Sequence, residues 1–174
     1  QVATLEALPI QYADYAVWQK QRLQGEYLQK LLGYWRQQLE GAPALLELPT
    51  DRARPAVQTH RGARYGFALP VSLTQRLRAL GHEANATLFM VLLAGFKVLL
   101  HRYSGQDDIS VGTPIAGRNR TELEGLIGFL VNTLVLRSRV QPQMRFIDLL
   151  ERVKATALDA YAHQELPFEQ LVEE

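Results

Sequence analysis

Apolar residues recur at three- and four-residue spacing over two stretches near the start of the chain, and each predicts a helix. The first, LPIQYADYAVWQKQRLQG, carries Tyr15, Trp18 and Leu23 among its apolar positions. The second, EYLQKLLGYWRQQLEGAP, repeats at Leu28, Leu31, Leu32, Trp35 and Leu39, and Gly41 followed by Pro43 marks its end. Residues 42–61 hold three prolines and several charges and read as a loop. Arg64–Leu69 reads as a short strand. Ser72 with Gln75 matches a capping box, and Leu73, Leu77 and Leu80 follow on one helical face. Thr87–Tyr103 is apolar nearly all round, which predicts a buried helix. Asp108–Ile115 predicts a strand with Ile109, Val111, Thr113 and Ile115 on one face. AGRNRTELEG is a polar loop in which Thr121 and Glu124 form a second possible capping box, and Val131–Val140 reads as another strand. Arg145–Tyr161 predicts an amphipathic helix with Phe146, Leu149, Leu150, Val153 and Tyr161 inward, and Pro167 falls near a last helix start.

Helices alternating with strands argue α/β layers, with helices packed on a sheet. About three strands are too few for an independent doubly wound sheet, so part of the sheet is expected outside these residues. The chain starts at Gln1 and ends in LVEE, within a helix by its pattern, which suggests a trimmed piece of a larger protein.

Composition narrows the function classes. The chain has 174 residues, enough for a real core, and an apolar fraction of 47% with 21% charged, as in ordinary globular domains. Nineteen Lys plus Arg against 18 Asp plus Glu leave a net charge of +1, which gives no case for nucleic acid or a membrane surface as partner. The absence of Cys excludes disulfides, thiolate metal sites and a Cys nucleophile. No apolar run reaches 18 residues, so no membrane-spanning helix is expected.

Chemistry-bearing residues are sparse. His60, His82, His101 and His163 have no second ligand at metal-like spacing, so no metal site is expected. No P-loop, GxGxxG or GxSxG occurs. The pairs Asp107–Asp108 and Glu173–Glu174 read as solvated charge. His163, in HQELPF, is a lone histidine without a visible partner. Three stretches stand out. In IGFLVNTLVLR, Asn132 shares a strand face with Leu134 and Leu136, so its amide must bond either neighbouring backbone or a ligand in a cleft. In GRNRTELEG, Arg118 and Arg120 precede a possible helix N-terminus, where a phosphate could dock, although Glu122 and Glu124 oppose it. In YADYAVW, three aromatics at helical spacing point to core, and Asp14 among them needs an Arg or a backbone N–H.

Taken together these stretches resemble the condensation domains of nonribosomal peptide synthetases. YADYAVW looks like the family's Y-x-D-Y/F-A-V-W motif, IGFLVNTLVLR like I-G-x-F-V-N-T-x-x-x-R, and HQELPFEQLV like H-Q-D-x-P-F-E-x-L-V. They stand in the family's order, and VGTPIAGRNRTELEGLIG reads like the segment that leads into the Asn motif. Glu165 stands where Asp is usual and Leu130 where Phe is common. The family's H-H-x-x-x-D-G motif, with the catalytic His, does not occur in the sequence, nor does its last motif, R-D-x-S-R-N-P-L.

The resemblance implies a chloramphenicol acetyltransferase-like α/β fold of two lobes around a tunnel. Residues 1–41 would be the helical segment after the absent His motif, 42–61 a loop, and 62–174 part of the C-terminal lobe. It implies amide bond formation between a carrier-bound acyl or peptidyl thioester and a carrier-bound aminoacyl group. No catalytic residue would lie in this chain. Asn132, Thr133, Arg118 and Arg120 would line the substrate and pantetheine tunnel, with Asn132 bonding a substrate or pantetheine carbonyl and the arginines meeting a phosphate or an acidic carrier surface. Tyr12, Asp14, Trp18, Gly128, Arg137, His163, Gln164, Pro167 and Phe168 would be architectural. No cofactor would bind directly, the 4′-phosphopantetheine arm being carried by partner domains. Those partners would be upstream and downstream peptidyl carrier domains, an adjacent adenylation domain and the missing N-terminal lobe, in the cytoplasm. IGFLVNT favours condensation over the epimerisation relatives. A heterocyclisation relative and a degenerate domain that recruits other proteins both stay open.

Overall fold

Buried leucines at helical spacing set the first layer. The chain's structure, a computed structural model, describes residues 7–57, 59 and 61–173. Helix α1 spans Tyr12–Arg22 and α2 spans Gly25–Leu39. Leu31, Leu32 and Trp35 of α2 are almost fully buried. Each such leucine stabilises the fold by about 1.5–3 kcal/mol relative to exposure. Further on come α3 (Val71–Glu83), α4 (Leu88–Ser104), β1 (Asp108–Ile115), β2 (Asn132–Arg139), α5 (Phe146–Ala162) and α6 (Phe168–Val172).

The chain divides into two compact units. One gathers the residues up to Gly41, Val111–Leu136 and those from Asp159 on; the other holds Ala42–Ser110 and Arg137–Leu158. The strands β1 and β2 pair as a two-stranded sheet. The pairing is antiparallel: Val140 N–H donates to the Asp107 carbonyl (2.7 Å), while Gly112 faces Thr133.

In the first unit, Leu123, Leu126 and Leu130 form a cluster against Leu8, Ile10 and Tyr15. In the second, α3 packs on α4, meeting it at a bend of 105°. Thr87 caps α4 by accepting the Met90 N–H (3.3 Å). The core here contains Met90, Val91, Leu93, Ala94, Ile109, Leu150 and Val153. It also contains Lys97, wholly buried, whose ammonium nitrogen donates to the Ile109 carbonyl (3.2 Å) and to Ser138 Oγ (3.0 Å). One lysine thus ties α4 to both strands. Burial pulls its pKa down to about 7, against the opposing attraction of Asp108.

Five sequence expectations change. Residues 61–70, containing the strand expected at Arg64–Leu69, form neither helix nor strand. Helix α3 begins at Val71 behind Pro70, so Ser72 lies inside the first turn and its capping box does not form. The Thr121–Leu123 segment is a three-residue 3₁₀ turn with no side-chain cap, so the second box is absent too. Helix α4 is buried on one side only, with Phe89, Leu92, Phe96, Leu99 and Tyr103 exposed. Phe146 is exposed as well, at the open end of α5. No single helix among the described residues is long and apolar enough to cross a membrane.

Candidate functional site

Three separated stretches of the first unit meet at an open cleft of about 280 Å³. Helix α1 contributes Tyr12, Tyr15, Trp18 and Gln19. The segment before β2 contributes Phe129, Leu130, Val131 and Asn132, and the turn before α6 contributes Gln164, Glu165 and Pro167.

The amide of Asn132 is the joint between the last two. Its Nδ2 donates to the carbonyls of Gln164 (2.9 Å) and Leu166 (2.7 Å). Its Oδ1 accepts the N–H groups of Thr133 (2.8 Å) and Phe168 (2.9 Å). A primary amide has two donors and two acceptor positions, and all four are taken by backbone. This corrects the expectation that Asn132 holds a substrate carbonyl: it lines the cleft with no free donor or acceptor. Thr133 contributes its N–H to this clamp and its methyl group to the Gly112 contact.

The aromatic row of α1 lines the cleft: no residue of α1 is fully buried, while Tyr15 also packs on the Leu123–Leu126–Leu130 cluster. Tyr12, Tyr15 and Trp18 follow one another with ring centroids 6.2 and 5.9 Å apart. The Tyr12 hydroxyl donates to the Phe129 carbonyl (3.0 Å), and its ring lies on Gly128, where an added Cβ would come within 2.2 Å of it. Glycine is therefore required at 128 by the close approach of a ring. Gly117 is required twice over. Its φ is +65°, and a Cβ there would stand 1.8 Å from the Leu130 carbonyl oxygen. Asp14 finds the backbone partner expected for it, the Gln11 N–H at 2.8 Å.

Arg118 is turned onto its own loop. Its Nη1 donates to the carbonyls of Leu123, Glu124 (3.3 Å) and Leu126 (2.7 Å), so it braces the loop and does not present itself to a phosphate. Arg120 is exposed and covers the Trp18 ring at 4.7 Å, with Arg22 at 5.6 Å from the same ring.

His163, expected to be architectural, stacks flat on Tyr34 (3.9 Å), its Nδ1 is 2.7 Å from the Asp159 carbonyl, and its own carbonyl accepts the Trp35 indole N–H (3.1 Å). Gln164 donates to the Tyr161 carbonyl (2.9 Å), and Pro167 stands at the N-cap of α6 with Phe168 after it. In the second unit, Arg137 grips Asp108 with both ends of its guanidinium (2.8 and 2.7 Å), and Arg139 adds a longer contact (3.4 Å). Asp108 is thus no solvated charge, and the Arg137 hydrogen bonds hold its carboxyl below the usual aspartate range. His82 is exposed, His101 Nδ1 is 2.9 Å from the Gln106 carbonyl, Glu173 is exposed, and His60 and Glu174 lie outside the described residues.

Sequence reasoning missed a polar knot at the cleft. Glu165 Oε2 accepts from Arg22 Nε (2.6 Å) on α1 and from the Tyr27 hydroxyl (2.8 Å) on α2. Burial works against the Glu165 carboxylate, but these two hydrogen bonds and the Arg22 and Arg120 charges together outweigh it and hold its pKa below the usual glutamate value. Burial also pushes the Tyr15 hydroxyl up, aided by Tyr12 and Glu165. Near neutral pH the cleft therefore offers a protonated Tyr15 hydroxyl and the paired Glu165 carboxylate. It can orient a neutral chain, but neither group is poised to take a proton. Among the described residues no histidine lines it and no group of His, Asp or Glu could hold a metal ion.

The sequence matches the Condensation domain family over residues 2–174. It is 56% identical over 170 residues to a linear gramicidin synthase polypeptide of Brevibacillus parabrevis, a match that covers 98% of this chain and 2% of that polypeptide. A four-domain nonribosomal peptide synthetase, solved in its holo form with AMP and glycine, superposes with a TM-score of 0.90 at 30% identity, over 99% of this chain and 13% of that one. The X-domain from teicoplanin biosynthesis, solved in complex with OxyB, superposes with a TM-score of 0.90 at 29% identity, over 98% of this chain and 38% of that one. The fold is thus that of the condensation domains, α/β and chloramphenicol acetyltransferase-like. The chain belongs to the Condensation domain family of the nonribosomal peptide synthetases, and it spans only a small part of the synthetases it matches.

Proposed function

We propose that the chain is part of a domain that joins a carrier-bound acyl or peptidyl thioester to a carrier-bound aminoacyl group, forming an amide bond. The observation that carries this reading is the convergence of the three family-like stretches on one cleft, at Tyr12–Trp18, Phe129–Asn132 and Gln164–Pro167. A wall of aromatic rings beside amide and hydroxyl groups suits the neutral, extended pantetheine portion of a 4′-phosphopantetheine arm carried by a partner domain. Aminolysis of a thioester is downhill, so holding amine and thioester in register supplies much of the rate. The proton on the attacking amine still needs an acceptor, which the cleft lacks. These 174 residues alone are therefore expected to be inactive, the catalytic histidine coming from residues outside them. Arg120, exposed beside the cleft aromatics, would meet the acidic surface of a carrier domain. Adenylation and carrier domains would flank it in the same cytoplasmic protein.

The test is an assay of the parent domain with donor and acceptor carriers loaded, read by mass spectrometry of the acceptor arm. A dipeptidyl thioester on the acceptor supports the reading; unchanged arms contradict it. A second reading, a condensation-like domain that recruits a partner protein, draws on the likeness to the teicoplanin X-domain. It predicts unchanged arms in the same assay. A cyclised or epimerised product would instead indicate the heterocyclisation or epimerisation relatives.

A further inference from the structure

The Tyr15 ring packs on the Leu123–Leu126–Leu130 cluster, and the residue also lines the cleft beside Trp18 and Gln19. Its hydroxyl oxygen accepts the Nε2–H of Gln19, one helical turn further along, at 3.2 Å. A phenol can both accept and donate. With the oxygen serving Gln19, the hydroxyl hydrogen is free to donate, and among the described residues it meets no acceptor. The Asn132 amide and the Tyr12 hydroxyl line the same cleft, but their hydrogens are taken up by backbone carbonyls. The Glu165 carboxylate is held by Arg22 and Tyr27 and accepts nothing from Tyr15. Burial raises the Tyr15 pKa, with Tyr12 and Glu165 adding to it, so the hydroxyl keeps its hydrogen throughout the neutral range.

The same bond leaves Gln19 Oε1 as an acceptor next to that donor, with no partner of its own among the described residues. A donor and an acceptor side by side match a secondary amide, whose C=O accepts and whose N–H donates. An amide oxygen is also a better acceptor than that of a thioester, because its nitrogen releases electron density into the carbonyl. A pantetheine arm carries such amides between apolar lengths, and those lengths suit the neighbouring rings of Tyr12 and Trp18. We propose that Tyr15 holds the arm: its hydroxyl donates to an amide carbonyl of the pantetheine portion, while Gln19 Oε1 accepts the N–H of the same amide. The inference rests on the reading that this cleft takes a carrier-bound arm, and it names the atoms that grip it. Tyr15 thereby makes the ligand contact that Asn132, with all four positions filled by backbone, does not make.

Fluorescence anisotropy of a labelled carrier domain, titrated with the intact parent domain, tests this without turnover. Tyr15→Phe keeps the ring and its packing on the leucine cluster and removes only the hydroxyl. For a carrier bearing the 4′-phosphopantetheine arm, it is expected to raise Kd about 5–10-fold, the loss of one neutral hydrogen bond. The arm-free carrier is expected to bind both domains alike, which also shows that the variant is folded. Arms in which one amide at a time is replaced by a methylene pair complete the cycle. With one of these analogues the natural domain and Tyr15→Phe are expected to bind equally. The same Kd for the natural arm in both domains would overturn the inference. So would a loss shared by the arm-free carrier, or a Tyr15→Phe loss that persists with every analogue. The dipeptidyl assay is read separately. Normal product with an unchanged Kd for the natural arm in Tyr15→Phe overturns this inference alone; the expected Kd changes without product contradict the reaction and keep the arm in the cleft.

Discussion

The Oδ1 of Asn132 accepts the backbone N–H of Phe168 at 2.9 Å, across 36 residues of chain. With its three companion bonds, this contact holds the start of β2 against the turn that opens α6. Asn132→Ala removes four hydrogen bonds, and the freed backbone groups cannot all find water in a half-buried site. At about 1 kcal/mol per bond, partly offset by solvation, the loss is about 2–4 kcal/mol. In a domain of 150–250 residues that would lower Tm by roughly 4–16 °C, and in the larger parent domain by a few degrees. Asn132→Asp is expected to fare no better, because it keeps the acceptors but loses both donors. Calorimetry of the parent domain checks both; an unchanged Tm in either variant contradicts the clamp.

Lys97 gives stability a pH dependence of definite sign. Its pKa is about 7 in the fold and about 10.4 in an unfolded chain, so between these values the unfolded state binds more protons. Stability therefore rises with pH from 7 to 9, by at most about 1.4 kcal/mol per pH unit. The contribution is fully present only above the unfolded value and is lost as pH falls to 7. Urea unfolding at pH 7, 8 and 9 is expected to show the rise in the natural sequence and a flatter profile in Lys97→Met. A falling profile in the natural sequence contradicts this assignment.

Arg137 and Asp108 form the other charged element of that unit. Arg137→Leu leaves a largely buried carboxylate with only the longer Arg139 contact. The expected cost is about 3 kcal/mol, the low end for breaking a buried pair. The depressed Asp108 pKa stabilises the fold above the unfolded value of about 4, and this contribution fades as pH falls through the folded value. Adding Asp108→Asn to Arg137→Leu is expected to recover part of the loss, because no charge is then stranded. A double-mutant cycle at pH 7 checks it; strictly additive losses would count against the pair.

Arg120→Glu is expected to raise KM for carrier-bound substrate several-fold at low salt and less at 0.5 M salt, since exposed charges are screened. Turnover at saturating carrier is expected to hold. A KM unaffected across ionic strengths contradicts the carrier contact.

Much of the fold was legible in the residues because its signals are local. Helix α2 follows from Leu31, Leu32 and Trp35, and β1 from the alternation of Ile109 to Ile115, where the bounds match. The cleft was legible only as separate motifs. The sequence singles out Asn132, but three of its four partners lie 32 to 36 residues away, and no periodicity reveals whether an amide meets backbone or ligand. Lys97 stands as a charge in the middle of an apolar helix, yet its contacts are 12 and 41 residues distant. The exposed face of α4 and the 64–69 segment have the right patterns, but pattern states what a surface prefers and not whether its cover is present. The Glu165 knot escaped notice because Arg22 and Tyr27 carry no motif around them.

The central claim is that the motif asparagine works through the fold of the cleft and not by touching substrate. It is tested most directly by measuring Tm and single-turnover rate together for Asn132→Ala in the parent domain, the rate taken at 10 °C and normalised to folded protein. The account predicts a clear drop in Tm, with a per-folded-molecule rate restored towards that of the natural domain as temperature is lowered. An unchanged Tm with a rate reduced 100-fold at every temperature would contradict it and return Asn132 to the substrate.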